Sequence, residues 1–152
     1  MISIAEHAAL LRRQAVASQE VPLVAAQRIG LYAQALAKGY IGREMSGWPR
    51  LAERTIADKQ RLGFVGHVSA TDPLLRTGSM RDSIVLHVVQ AGNTASAVIG
   101  SAERKALWQE MGTARIPPRP FLSRAMRDVQ PAAEAIIGAA VRAVFGETEF
   151  SE

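Results

Sequence analysis

The chain has 152 residues, 48% of them hydrophobic and 21% charged, and it contains no cysteine. That length suits one domain, 1–152, able to bury roughly two-thirds of its extended surface; without cysteine it has no disulfide framework, thiolate metal site or cysteine nucleophile, and its apolar fraction excludes wholesale disorder. The 18 Lys+Arg against 14 Asp+Glu give a net charge of +4 and a pI near 10.1, which permits contact with anionic surfaces without demanding it.

Residues 2–40 read as N-terminal helices. Ser3 followed by Glu6 fits a capping box that opens a helix running to about Ala17. Pro22 suits the first turn of a second helix. In that helix Ala25, Ile29, Ala33, Leu36 and Tyr40 recur at spacings of 4, 4, 3 and 4, one apolar stripe closed by Gly39 and Gly42. The opening residues carry neither a basic segment nor a long apolar one, so no signal peptide is expected. No apolar run suits a bilayer span, so the expectation is a soluble protein made inside the cell, without membrane contact.

Between residues 42 and 73 the pattern is irregular. Gly47, Pro49, Gly63 and Gly66 divide it into loops around one short helical piece, Leu51 to Arg61, and a partly mobile loop region is expected.

Residues 74–145 hold the sheet and the later helices. Ile84 to Val89 and Ala95 to Ile99 are β-rich runs joined by Ala91-Gly92-Asn93-Thr94, which predicts a β-hairpin. A helix from about Ala102 to Met111 follows, closed by Gly112. Pro117, Pro118 and Pro120 exclude helix from the next segment, after which Pro120 opens a long last helix. The stripe of that helix is Ala125, Val129, Ala132, Ile136, Ala139 and Ala143. Residues 146–152 form an acidic tail with three glutamates. With 5% aromatic residues the core should be built mainly from Ala, Val, Ile and Leu. The fold class is α+β, with a small antiparallel sheet based on a hairpin and a long C-terminal helix packed on it.

Catalytic chemistry is hard to find. His7, His67 and His87 are far apart and none has a carboxylate at metal-ligand spacing. No glycine pattern matches a phosphate-cradling loop, and no serine lies in a nucleophile elbow. No enzyme, cofactor or metal is therefore expected. Arg115, Arg119, Arg124 and Arg127 lie in residues 113 to 127 without an acidic residue among them, which suits either an anionic partner or a solvated helix start. Trp48 and Trp108 are expected as packing anchors.

Three stretches, in this order, resemble the tail-completion and virion-morphogenesis proteins of tailed bacteriophages, a group that includes minor tail and neck components. The first is Trp48-Pro49-Arg50-Leu51 with Thr55 and Lys59. The second is Leu74-Leu75-Arg76-Thr77-Gly78-Ser79-Met80-Arg81-Asp82-Ser83-Ile84, similar to a Thr-Gly-x-Leu segment before a hairpin. The third, and most specific, is Leu107-Trp108-Gln109-Glu110-Met111-Gly112-Thr113 followed by Ile116-Pro117-Pro118-Arg119-Pro120-Phe121-Leu122. The likeness covers residues 48 to 125. Pro118 stands where the group has Ala, Met80 replaces Leu, and Pro49 follows Trp48 directly rather than one position later.

The resemblance implies a structural virion protein of the neck, assembled in the host cytoplasm, that completes or terminates the tail and joins it to the DNA-filled head. Copies would form a ring of six or twelve around the DNA channel, touching the tail tube and the head-completion or connector proteins. Arg115, Arg124 and Arg127 are candidates for channel or partner contacts, including non-specific contact with packaged DNA. The motif residues Trp48, Thr77, Gly78, Glu110, Gly112, Thr113, Arg119, Pro120 and Phe121 are the candidate interface or structural set. Within it Phe121 is expected to be an apolar plug. Arg119, stiffened between prolines, is expected to present its guanidinium to a neighbouring subunit. The alternatives are a head-closure protein of the connector and a small DNA-binding regulator.

Overall fold

The computed structural model describes residues 3–63 and 69–146. Of the sequence expectations, His67 and the glutamates of the acidic tail lie outside the described residues. Among those described, six helices and a two-stranded antiparallel sheet follow one another in the order α1 (Ile4–Tyr40), α2 (Glu53–Leu62), α3 (Ser79–Asp82), β1 (Ile84–Ala91), β2 (Thr94–Ser101), α4 (Arg104–Met111), α5 (Leu122–Asp128) and α6 (Gln130–Phe145). The fold is α+β, as expected. No helix among the described residues is long and apolar enough to cross a membrane.

The two predicted N-terminal helices are one helix of 37 residues with Pro22 inside it. Pro22 removes the N–H that would bond the Ser18 carbonyl, but Ser18 is exposed and water can take that acceptor. No glycine lies between Ala17 and Pro22, so nothing local stops the helix. The capping box forms as read: Glu6 Oε2 accepts the Ser3 N–H at 2.7 Å, and Ser3 Oγ accepts the Glu6 N–H at 3.2 Å.

The predicted last helix is instead two, α5 and α6, separated at Val129. Pro131 has no N–H to continue α5 and is pre-shaped for a first helical turn, so it restarts the helix. Along the stripe read from the sequence, Ala125 and Val129 are buried and Ala132, Ile136 and Ala139 half-buried. Ala140 is fully buried in α6, while Ala143 is exposed.

The hairpin turns on two residues, with Gly92 at φ +57 and Asn93 at negative φ, the type II′ arrangement. Ile84 is buried and Leu86 and Val88 are half-buried, whereas Val85 and Val89 are exposed, so β1 alternates between a covered and an open face.

Among the described residues, contacts divide the chain into two compact units: residues 3–31, 87–98 and 130–146 belong to one, and residues 32–63, 69–86 and 99–129 to the other. The first buries mainly small side chains, Ala25, Ala26 and Ala140. The second holds a hydrophobic core of Ala37, Ile41, Leu75, Met80, Ile84, Ala106, Phe121 and Ala125. Phe121 and Ile84 are its largest fully buried side chains.

Candidate functional site

All three stretches that carry the resemblance lie in the second unit, where they meet. Each contributes to one clasp around Phe121. Its ring is fully buried in the core, as the plug expectation required. Ahead of it, Pro120 fixes φ, so the chain enters α5 at a set angle.

Glu110 holds the start of α5. Its Oε2 accepts the backbone N–H of Phe121 at 2.8 Å and of Leu122 at 2.9 Å, and its Oε1 accepts that of Ser123 at 2.9 Å. These are donors that an α-helix cannot satisfy internally. Burial alone would raise the carboxyl pKa, but the bonds from Ser123, Leu122 and Phe121 outweigh it and hold the group below its usual range.

The turn between α4 and Phe121 is closed by Gly112 and Thr113. Gly112 lies at φ +75 with ψ 174, beyond the left-handed helical region, in territory essentially reserved for glycine. A Cβ there would stand 2.9 Å from Pro118 Cδ and 3.0 Å from the Ile116 carbonyl oxygen. Thr113 Oγ1 accepts the N–H groups of Arg115 at 3.2 Å and Ile116 at 3.0 Å. The Ile116 carbonyl accepts the Thr113 N–H at 2.8 Å.

Arg119 is buried and turned inward within its own chain. Its side chain is only 4% exposed. Nε and Nη2 donate to the Pro49 carbonyl at 3.2 and 2.9 Å, and Nη2 also to the Arg50 carbonyl at 3.2 Å. The stiff proline-flanked backbone turns the guanidinium inward onto the loop after Trp48, because those carbonyls have no strand or helix partner there. The expectation of an outward interface arginine is therefore corrected. Burial lowers its pKa, though a guanidinium remains charged at ordinary pH. Its backbone N–H donates to the Gln109 carbonyl at 2.6 Å, tying it to α4 as well. Trp48, partly buried, packs against the core from the same loop.

Thr77 and Gly78 begin α3. Gly78 is buried at φ +84, and Thr77 Oγ1 lies 3.2 Å from Ser79 Oγ, to which it donates.

The arginines of 113 to 127 do not form one stripe. Arg119 is inside, and Arg124 is half-buried: Nη1 donates to the Ser46 carbonyl at 3.0 Å, Nε lies 3.4 Å from Asp128 Oδ2, and the group sits 5.8 Å from the Tyr40 ring centroid. Arg115 and Arg127 are exposed.

Helix α4 is inverted relative to an ordinary surface helix. Ala106, Gln109 and Glu110, at i, i+3 and i+4, face inward, so Leu107 (62% exposed), Trp108 (42%) and Met111 (71%) face solvent. Trp108 is thus not the buried anchor expected of it. The demand of the α5 terminus for a carboxylate sets this rotation.

Sequence reasoning gave no individual role to Lys59, which is 5% exposed and donates to the carbonyls of Asp72 at 2.7 Å and Ser69 at 3.4 Å. Burial lowers its pKa, with the nearby Asp72 carboxylate opposing. A lysine four residues after Thr55 on a short helix reads as a surface residue, and only its place in the Trp-Pro-Leu, Thr, Lys series pointed to it. No group of three or more His, Asp or Glu side chains suited to a metal occurs among the described residues. His7 and His87 are exposed on α1 and β1. The chain matches no protein-family model, no curated protein and no solved structure.

Proposed function

We propose that this chain is a structural subunit of the neck of a tailed bacteriophage, completing or terminating the tail and joining it to the filled head as part of a ring around the DNA path. The observation that carries this reading is the inverted helix α4. Leu107, Trp108 and Met111 form an outward apolar surface within the very stretch that most resembles the tail-completion group. Contiguous exposed apolar side chains mark association surfaces, and Trp and Met are enriched at them. The first unit adds to the argument: it leaves Leu10, Leu11, Val16, Val89, Val98 and Ile137 exposed while burying mainly alanines, so neighbours have apolar surface to cover.

In this reading the clasp is a rigid internal frame and α4 is the docking edge. Repeated head-to-tail contact that closes gives a ring, of six or twelve copies. Its partners are the tail tube and the connector, and the exposed Arg115 and Arg127 flank the DNA channel.

The test is to image particles made without this protein. Filled heads beside separate tails are the expected outcome, and normally joined particles overturn the reading. Heads that lose their DNA assign the chain to head closure instead. A Leu107→Ser/Met111→Ser variant should melt near wild type yet fail to enter particles. Native mass spectrometry of the purified neck gives the number of copies.

A further inference from the structure

The second unit contains a cleft of about 410 Å³, of whose lining the neck reading uses only Arg115. Its floor carries two buried cations, Lys59 and Arg119. Around its mouth stand three more, the exposed Arg50, Arg76 and Arg115, brought there from three separate segments. Asp72 is the one acidic side chain among the lining residues, and its Oδ2 already accepts the Ser69 N–H at 2.7 Å. With Nε and Nη2 of Arg119 committed to carbonyls, Nη1 is the guanidinium nitrogen left for a ligand. None of the ion pairs among the described residues involves Arg50, Arg76, Arg115 or Arg119.

A convergence of cations around a concavity recognises carboxylates or phosphates. The remaining lining separates these. Leu51, Ile116 and Pro117 give the same cleft an apolar wall, which a phosphate does not use and a peptide side chain does. Its volume admits a few side chains and is near the lower end of the roughly 300–1,000 Å³ range of ligand sites. A duplex is far too broad to enter it. The fitting ligand is a short peptide carrying several carboxylates and one large apolar side chain.

The chain contains one such segment. Residues 147–152 read Glu147-Thr148-Glu149-Phe150-Ser151-Glu152, with three carboxylates, one aromatic ring and no basic residue. From this complementarity we infer that the cleft is a docking site for the acidic 147–152 segment of a second copy, its glutamates on the arginines and Phe150 on the apolar wall. The contact is head-to-tail, so it propagates from copy to copy. It does not depend on the neck reading, since it needs only this chain.

The test uses the full chain and a labelled peptide of residues 146–152, capped at both ends, followed by fluorescence anisotropy. Binding should be saturable and weaken with salt. It should fall at least about tenfold for a peptide with all three glutamates changed to Gln, and equally for an Arg50→Ala/Arg76→Ala/Arg115→Ala receptor, about 1.4 kcal/mol per tenfold. The three arginines are exposed, so the receptor should keep its melting temperature; if it does not, Arg115→Glu alone is the substitute. In sedimentation, changing Glu147, Glu149 and Glu152 to Gln in the full chain should reduce self-association. Equal binding by the Gln peptide, equal binding by the altered receptor, or self-association indifferent to the glutamates overturns the inference. So does preferential binding of a short DNA duplex at the same arginines.

Discussion

Glu110 and Phe121 are joined by a hydrogen bond from the Phe121 backbone N–H to the Glu110 carboxylate, at 2.8 Å, while the Phe121 ring fills the centre of the core. One residue thus supplies both the cap of a helix and the reason that α4 turns its apolar face outward. The carboxylate accepts three consecutive N–H groups, two of them part-buried. Replacing it leaves those donors without partners.

Glu110→Ala should therefore destabilise the second unit by about 1–3 kcal/mol, and Glu110→Gln by less, since one oxygen acceptor remains. The effect depends on pH. The carboxyl pKa is lowered in the fold relative to its ordinary 4.5. Its contribution is full above that ordinary value and is lost as pH falls through the folded one. Denaturant unfolding of wild type and Glu110→Gln should show a gap at neutral pH that closes in acid. A gap independent of pH would show that charge is not what the cap uses.

Phe121→Ala and Arg119→Ala should both lower the melting temperature. The ring is fully buried, and its loss should cost about 3–5 kcal/mol. Arg119→Ala leaves the carbonyls of Pro49 and Arg50 without their charged donor and should cost about 1.5–3 kcal/mol. Arg119→Lys should recover only part, because an ammonium lacks the planar fork that spans both carbonyls. Thermal melting of all three variants checks the order. An Arg119→Ala protein that melts like wild type would remove the arginine from the frame.

Two glycine substitutions should act with opposite sign. At Gly112 a methyl group meets Pro118 and the Ile116 carbonyl at a φ of +75, so Gly112→Ala should destabilise by more than the roughly 1–3 kcal/mol of backbone strain alone. Gly39 lies in α1 with nothing within 4 Å of a new Cβ, so Gly39→Ala should stabilise by about 0.5–1 kcal/mol. Denaturant midpoints of the pair give the comparison.

Tyr40 donates its hydroxyl to Asp128 Oδ2 at 2.6 Å. Burial first, then that bond and the carboxylate charge, push its pKa up to about 12. Because the folded value is raised, the contribution to stability is intact below the ordinary phenol value of 10.0 and is lost as pH rises beyond it. A phenolate absorbance titration should show one tyrosine ionising near 12, and Asp128→Asn should bring it down. If Asp128→Asn leaves the titration unchanged, the bond does not govern the phenol.

The sequence by itself determined the local devices. The Ser3–Glu6 capping box, the Gly92 turn, the helix stop at Gly112 and the Phe121 plug each depend on residues close in the chain or on a type with few alternatives. Tertiary structure decided the rest, because it depended on distant partners. Helix α1 runs through Pro22 since the freed Ser18 carbonyl reaches water, a matter of exposure that spacing does not encode. Arg119 looked outward-facing from its prolines, yet carbonyls 69 and 70 residues earlier in the chain claim it. The cleft shares that cause: Arg50, Lys59, Arg76 and Arg115 are scattered in sequence, and only the tertiary fold brings the loop before α2, α2 itself and the segments ahead of α3 and α5 to one place.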